Sequence, residues 1–179
     1  SATEGLFGYN TDYAGFLYMA RHAGIEFSGK KVLILGTGGT SATVCAAVKD
    51  QGARDVIVVS RSGVVTYQNL YLHSDSQIVI NTTPVGMYPN NAETLIDLES
   101  LPDCEGVLDV IYNPLCTNLI LQARERKIAC GSGLVMLTAQ AKYASDLFLD
   151  RTADDSIIDS TVDQMIRRMQ NIVFIGMPG

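Results

Sequence analysis

A glycine-rich turn contains the first residues with a recognisable chemical use. The stretch LGTGGTSA places Gly36, Thr37, Gly38 and Gly39 directly after an apolar run and ahead of an alanine-rich one. Gly36 permits a tight turn, and the missing side chain at Gly38 lets the backbone approach a pyrophosphate closely. The start of the following helix would add free N–H groups and a positive dipole end. The pattern predicts a dinucleotide site, and the alternative is a glycine loop that merely turns the chain.

The residues after the next apolar run favour NADP over NAD. The run DVIVV is followed by Ser60, Arg61 and Ser62. NAD sites usually carry Asp or Glu here to bind the ribose 2′-hydroxyl, whereas a guanidinium pairs with a 2′-phosphate through two hydrogen bonds. Gly63 and two valines stand where a second basic residue is often found. The use of NAD as well, or an arginine that is only solvated, therefore stays open.

Near the start of the chain, Asp12 stands in GYNTDYAGF just ahead of a helical pattern. Apolar residues recur at helical spacing and predict an amphipathic helix from Tyr13 to Ala23. Asp12 is expected to be the N-cap of this helix, because a carboxylate there accepts a backbone N–H. A carboxylate held in that way could also orient a cationic partner. Capping and catalysis are therefore compatible roles for Asp12.

Alternating strand and helix patterns predict the fold that would position these residues. The glycine turn joins the strand VLILG to a helix, and DVIVVS completes a β-α-β unit of about 30 residues. Further strands are predicted at QIVIN, GVLDVIY and IACG, and further helices at 118–126, 134–148 and 157–169. The stretch between Arg61 and Gln77 is short for a helix plus a strand, so the third strand is the least supported. The prediction is an α/β fold, a Rossmann-like, doubly wound and mainly parallel sheet flanked by helices.

Composition and charge restrict the class of partner. The 179 residues are 47% hydrophobic and 18% charged, as in one ordinary globular domain. The net charge of -6 gives no basic surface for nucleic acid, and no apolar run could span a membrane. Four widely spaced cysteines and two isolated histidines suggest neither a disulfide framework nor a metal site. We expect a cytoplasmic protein without a metal, nucleic-acid or membrane partner.

Six motifs, in this order, resemble the shikimate dehydrogenase family. They are GYNTDYAGF, LGTGGTSA, SRS, INTTPVGMYP, DVIYNPLCTNLI and GLVMLTAQA. They resemble the C-terminal NADP-binding domain of that family, over about residues 5 to 150. Family members reduce 3-dehydroshikimate to shikimate with NADPH in aromatic amino acid biosynthesis, in a cleft between this domain and an N-terminal substrate domain. The resemblance implies the same cofactor and small-molecule substrate, and a homodimer is compatible with it.

The resemblance also implies roles for three residues. Asp12 matches the aspartate that partners a lysine in proton transfer with the substrate hydroxyl. That lysine belongs to the N-terminal domain, which is expected to be missing here, so the fragment is expected to be inactive alone. Tyr112 and Gln140 match substrate-contacting residues. Each could instead be a packing residue whose polar end is satisfied locally.

Four more residues are candidates for the cofactor site. Thr82 and Thr83 follow a strand at the carboxyl edge of the predicted sheet, where ligands bind in open α/β folds, although a proline-bounded turn would use the same residues. Gly133 and Met136 begin a helix that, in the family, lies beside the nicotinamide. Ser132 departs from a common family form, which has an aspartate at that position.

The sequence also predicts a domain division, and it leaves the overall function open between alternatives. We expect a division into 1–170, the NADP-binding domain, and 171–179, where NIVFIGMPG resembles the opening of a shikimate kinase. That tail could equally be a surface strand with a Pro-Gly turn, and it lacks the phosphate-loop lysine, so no ATP binding is expected. A quinate/shikimate dehydrogenase that accepts NAD, and a non-catalytic nucleotide-binding regulatory module, remain alternatives. The presence of Asp12, Tyr112 and Gln140 argues against a loss of the chemistry.

Overall fold

Five strands form one parallel sheet in the computed structural model, which describes residues 8–169. The strands pair in the order β2-β1-β3-β4-β5, and every pair is parallel. They are β1 (Lys31–Leu35), β2 (Asp55–Val59), β3 (Ile78–Asn81), β4 (Gly106–Asp109) and β5 (Ala129–Ser132). The predicted α/β doubly wound fold is confirmed.

Helices cover both faces of the sheet. They are α1 (Thr11–His22), α2 (Gly39–Asp50), α3 (Asn118–Glu125), α4 (Gly133–Leu149) and α5 (Ser156–Met169). Because side chains alternate along a strand, Val32 and Ile34 of β1 face a core built with α1, α2, α4 and α5. Leu33 and Leu35 face the opposite core, which is built with α3 and two short 3-10 turns. The central strands are buried on both faces, as a parallel sheet requires.

The observed elements differ from the predicted ones in three places. The first helix begins at Thr11 and ends at His22, so it starts two residues before the predicted Tyr13. β4 ends at Asp109, because the side chain of that residue accepts the N–H of Ile111. Between Arg61 and Gln77 the only regular element is a 3-10 turn at Leu70–His73.

The strands that follow β1 are added to opposite sides of it, so the strand order reverses between β1 and β3. The connection after β1 leads to β2 on one side, whereas β3 pairs with the other side of β1. Open α/β folds bind their ligands in a crevice at the carboxyl edge of the sheet, at the strands where such a reversal occurs. The predicted glycine turn and Thr82 both lie at this edge.

One predicted segment lies outside the described residues 8–169, and one expectation concerned membrane-spanning helices. The tail predicted to resemble a kinase opening, 171–179, lies outside them. Within residues 8–169, no helix is long and apolar enough to cross a bilayer.

Candidate functional site

The turn after β1 is fixed by contacts that only glycine allows at Gly36. Its φ is +109°, and a Cβ there would lie 2.8 Å from Thr83 Cγ2 and 3.0 Å from Thr82 Oγ1. Gly36 N donates to the Val59 carbonyl at 2.8 Å, and its own carbonyl accepts the Ser41 hydroxyl at 2.7 Å. Gly36 therefore brings the loops after β1 and β3 together.

Gly38 and Gly39 have a different environment. A Cβ at either position would meet no protein atom within 4 Å, and Gly38 has an ordinary φ of -76°. Gly38 caps α2 without a side-chain hydrogen bond, and the first turn of α2 has no acidic residue. Neither packing nor backbone conformation in the described structure requires glycine here. The open space in front of the α2 N-terminus, next to the exposed Thr37, suits a pyrophosphate.

The residues after β2 form a short loop that presents Arg61 to solvent. Ser60 N donates to the Val65 carbonyl at 3.1 Å, and Val65 forms a parallel bridge with Val59. Arg61 and Ser62 are exposed. In the part of the chain that the structure describes, no salt bridge engages Arg61. Burial raises the pKa of the Tyr67 hydroxyl, and the positive charge of Arg61 opposes that shift.

The hydroxyls of Thr82 and Thr83 already have protein partners. Thr82 Oγ1 donates to the Leu35 carbonyl at 2.7 Å. Thr83 N and Oγ1 donate to Asn81 Oδ1 at 3.0 and 2.8 Å. Both residues therefore shape the turn after β3, and the predicted cofactor contacts of these threonines remain predictions.

Asp109 is a buried acidic residue at this edge that the sequence did not single out. It is 1% exposed, and burial raises its pKa, whereas hydrogen bonds from Thr117, Ile111 and Asn81 oppose the rise. The sequence contained a sign of this contact, because Asn81 ends β3 and Asp109 ends β4. Their pairing depends on strand register, which the pattern alone does not give.

The start of α4 is packed against the loop that carries Tyr112. A Cβ on Gly133 would collide with the carbonyl of Val110 and lie 2.8 Å from Ile111 C. Gly133 N also donates to the Ile111 carbonyl at 3.0 Å. Tyr112 follows directly and is 49% exposed. The structure thus brings Gly133 beside the Tyr112 loop.

Met136, in contrast, is buried in the core that α4 forms with α1, and it is 5% exposed. Its predicted place beside the nicotinamide remains a prediction.

Asp12 is not the N-cap that the sequence suggested. Asn10 caps α1, because its Oδ1 accepts the N–H of Tyr13 at 3.1 Å. Asp12 lies in the first turn and is exposed. Within residues 8–169 no hydrogen bond or salt bridge occupies its carboxylate. The prediction was wrong because the helix begins two residues earlier than expected, and Asn10 has the capping backbone, with φ -107° and ψ 96°.

Asp12 and Gln140 lie near the crossing of α1 and α4. A Cβ on Gly15 would be 2.6 Å from Gln140 Cγ and 2.8 Å from the Met136 carbonyl, so the helices touch there. Asp12 is three residues before Gly15 and shares its face of α1. Gln140 is half-buried, and its amide has no hydrogen bond within the described residues. Gln140 therefore packs on Gly15, about one helical turn of α1 after Asp12.

No lysine of the described structure pairs with Asp12. Lys30 and Lys31 pair with Glu105 and Asp75. Lys142 pairs with Asp146 and Asp155.

A separate cleft of about 690 Å³ lies between the start of α1 and the end of α4. Its lining includes Tyr9, Thr11 and Phe148, the last of which is 89% exposed. No predicted cofactor residue lines this cleft. The open backbone of Gly38 and Gly39 at the N-terminus of α2 lies outside this cleft. Among residues 8–169, no group of three His, Cys, Asp or Glu side chains is arranged to hold a metal ion.

Comparison with known proteins gives close agreement in sequence and fold. No family model matches the chain. The shikimate dehydrogenase (NADP(+)) of Methanosarcina acetivorans is 31% identical over an alignment of 182 positions that covers 90% of this chain and 65% of that protein. A chorismate mutase/shikimate 5-dehydrogenase fusion protein from Clostridium acetobutylicum is 31% identical with a TM-score of 0.86, over 94% of this chain and 65% of the other.

The chain is a homologue of the shikimate dehydrogenases. Another solved member, from Thermus thermophilus in complex with NADP(H) and shikimate, is 26% identical with a TM-score of 0.75, over 88% of this chain and 63% of the other. The chain spans less than two thirds of the length of the curated shikimate dehydrogenases that it matches first.

Proposed function

We propose that this chain is the NADP-binding part of a shikimate dehydrogenase, which reduces 3-dehydroshikimate reversibly to shikimate with NADPH. The observation that supports this most strongly is the pair Gly38 and Gly39 at the start of α2. A Cβ at either position would point into open space, so the glycines suit an external ligand better than they suit the fold. A pyrophosphate needs that open backbone approach, together with the helix N-terminus.

Arg61 extends the proposed site toward the adenosine. It is exposed at the end of β2, where dinucleotide folds bind the adenosine ribose. A guanidinium there can bind a 2′-phosphate through two charge-assisted hydrogen bonds. Ser60 and Ser62 flank it and can supply further donors. The Thermus thermophilus homologue with NADP(H) and shikimate supports the same cofactor and substrate here.

The proton chemistry is assigned to Asp12, with a lysine that another domain supplies. A bound NADPH supplies the hydride for the ketone carbon. The alkoxide that forms must receive a proton, and a lysine held by a carboxylate can deliver one. The carboxylate of Asp12 is exposed and has no ion-pair partner within residues 8–169, which suits that role. Gln140 and Tyr112 are proposed to contact the substrate. Residues 1–170 then form the cofactor domain of a two-domain enzyme.

Substituting the first of these two glycines tests the proposal. Gly38→Ala adds a methyl group where the protein has free space, so the fold should be retained and Tm should change little. NADPH affinity, measured by the fluorescence of the bound nicotinamide, should fall by about tenfold or more because the methyl group blocks the pyrophosphate. An unchanged affinity would contradict the proposed site.

Gly36→Ala is the matched control. Its φ of +109° and the contact with Thr83 make any side chain costly there. This variant should lose stability, whereas Gly38→Ala should lose only the ligand. Equal effects of the two substitutions on Tm would show that both glycines serve the fold.

A second candidate is an enzyme that also accepts NAD, with quinate among its substrates. The favouring observation is that Arg61 is followed by the exposed Ser62, Gly63 and Val64, so the loop offers one cation only. Comparing NAD with NADP as oxidant, for shikimate and for quinate, separates the two candidates.

A further inference from the structure

A buried polar network joins the ends of β3 and β4. Asn81 and Asp109 end these strands and are partners in the sheet register. Asn81 is 2% exposed, Asp109 is 1% exposed, and Thr117, which caps α3, is 3% exposed. All three lie at the carboxyl edge, next to the turn that Gly36 and Thr83 form.

The hydrogen bonds of the network connect two loops. Asp109 Oδ1 accepts from Asn81 Nδ2 at 3.1 Å and from Ile111 N at 3.0 Å. Asp109 Oδ2 accepts from Thr117 Oγ1 at 2.6 Å. Asn81 also accepts from Thr83 through its Oδ1. One carboxylate thus links Thr83, in the loop after β3, to Ile111, which precedes Tyr112.

The same loops touch at two further points. Tyr88 N donates to the Asn113 carbonyl at 3.1 Å. A Cβ on Gly86 would lie 3.5 Å from Thr117 Cβ, so the loop after β3 rests on the residue that binds Asp109. The loop after β3 and the loop after β4 therefore form one packed unit, and Asp109 lies at its centre.

We propose that Asp109 is a positioning residue that holds these two loops as one wall of the site for the nicotinamide half of the dinucleotide. This inference depends on the proposed function. The adenosine end is assigned to Arg61 beyond β2, and the pyrophosphate to Gly38 after β1. The remaining half must then extend across the crevice toward β3 and β4, where Thr83 and Tyr112 lie.

Stability alone does not account for a carboxylate at this position. Burying a charge is costly, and a well-packed neutral group is often as stable. A carboxylate can accept from three donors at once, whereas an asparagine has one acceptor oxygen and an NH₂ that faces the Thr117 hydroxyl. Asp109→Asn should therefore keep the shape and reverse the hydrogen bond to Thr117, whose hydroxyl would then have to accept from the amide while it also accepts the Ile120 N–H. The link between Asp109 and Thr117 should be weaker as a result.

The test compares two ligands that share their adenosine half. NADPH contains both halves of the dinucleotide, and 2′,5′-ADP contains only the half that Arg61 and Gly38 are proposed to bind. For Asp109→Asn, NADPH affinity should fall about tenfold, and the affinity for 2′,5′-ADP should stay within about twofold of the original. A merely structural residue would change both affinities equally or neither.

Three results would count against the proposal. If Asp109→Asn is folded and weakens both ligands alike, or weakens neither, Asp109 does not position the nicotinamide half. If the original chain binds 2′,5′-ADP but not NADPH, the wall is misassigned and the adenosine site stands. If it binds neither ligand, the proposed function fails, and this inference fails with it.

A second pair of variants guards against a fold defect in Asp109→Asn. Thr117→Val keeps the side-chain volume and removes the hydroxyl, which both donates to Asp109 and caps α3. Loss of the cap should lower Tm, and NADPH affinity should again fall while 2′,5′-ADP affinity is kept. Thr117→Ser keeps the hydroxyl and should restore NADPH affinity to within about twofold of the original. If Thr117→Val and Thr117→Ser bind NADPH equally well, the network does not act on the ligand.

Discussion

At the start of α1, the capping of the helix and the proposed binding of a cation belong to two different residues. Asn10 caps the helix, and Asp12 stands exposed beyond it with no partner within residues 8–169. A capping carboxylate would have been committed to backbone N–H groups. Because Asn10 takes that role, Asp12 can bind a cation, as its proposed chemistry requires.

Two alanine substitutions test this division of roles. Asn10→Ala should lower the free energy of unfolding by about 1 kcal/mol, because the Tyr13 N–H loses its acceptor. Asp12→Ala should change it by less than about 0.5 kcal/mol, because its carboxylate makes no hydrogen bond in the described structure. Urea unfolding measures both values. A larger loss at Asp12 than at Asn10 would restore the original expectation of an Asp12 cap.

The pH dependence of stability tests the burial of Asp109. Burial raises the pKa of this carboxyl above its ordinary 3.8 in the folded protein, against its three hydrogen bonds. A raised folded pKa means that the contribution to stability is fully present below 3.8 and is lost as the pH rises through the folded value. The unfolding free energy of the original chain should therefore fall relative to Asp109→Asn as the pH rises through that window. A difference that is constant with pH would show that Asp109 does not titrate with a raised pKa.

Local residue patterns predicted the positions of the glycine turn and the strand ends better than they predicted hydrogen-bond partners. Gly36 and Arg61 lie where the strand-turn pattern placed them, because a glycine turn and a strand end are local features. The cap was misassigned because Asn10 and Asp12 are both good capping residues. Asp109 was missed because its neighbours come from another strand and from α3, at distances in sequence that no local pattern covers.

At the scale of elements, the contact between α1 and α4 depends on Gly15. The position has helical geometry, and its missing Cβ lets Gln140 and the Met136 carbonyl approach. Gln140 packs against this crossing, and Asp12 lies about one helical turn before it on α1. Any side chain at Gly15 would push the helices apart and separate two proposed substrate-site residues.

Gly15→Val should therefore destabilise the protein by about 1–3 kcal/mol, since the added carbons overlap Gln140. The matched control is Gly39→Val, which introduces the same residue at the start of α2, where a Cβ meets nothing within 4 Å. Chemical denaturation of the two variants gives the comparison. Equal losses of unfolding free energy would mean that the helix propensity of valine, and not the crossing of α1 and α4, causes the destabilisation.

Most elements could be predicted because each strand is a short apolar run between turn residues. The segment between Arg61 and Gln77 could not be assigned, and the structure places only a 3-10 turn there before β3. β4 proved shorter than its apolar run because the Asp109 carboxylate takes the Ile111 N–H. A side-chain hydrogen bond of this kind does not change the hydrophobic pattern, so the pattern overestimates the strand.

At the scale of the molecule, loops from different strands meet at one edge of the sheet. Gly36 connects the turn after β1 to Val59 of β2 and to the threonines after β3. Asp109 connects the loop after β3 to the loop after β4. This arrangement supports one continuous dinucleotide surface from Arg61 to Tyr112. The order of the strands in the sheet brings these loops together. The sequence predicted the fold class but did not predict the contacts of Gly36 and Asp109.

We expect the chain alone to bind NADPH without catalysing the reaction. Within residues 8–169 no ion pair joins a basic side chain to Asp12, so the described residues do not supply the cation that proton transfer requires. Shikimate-dependent formation of NADPH, followed by absorbance, should stay at the background rate while NADPH titration still shows binding. Turnover near the rate of complete family enzymes would mean that the proton donor is a residue of this chain.

Titration with NADPH and NADH, before and after Arg61→Ala, tests the central claim most directly. The original chain should bind NADPH about tenfold or more tightly than NADH, because the guanidinium pairs with the 2′-phosphate. Arg61→Ala should abolish that preference and leave NADH affinity unchanged. No binding of either cofactor at millimolar concentration, or an Arg61→Ala variant that keeps the NADPH preference, would contradict the account.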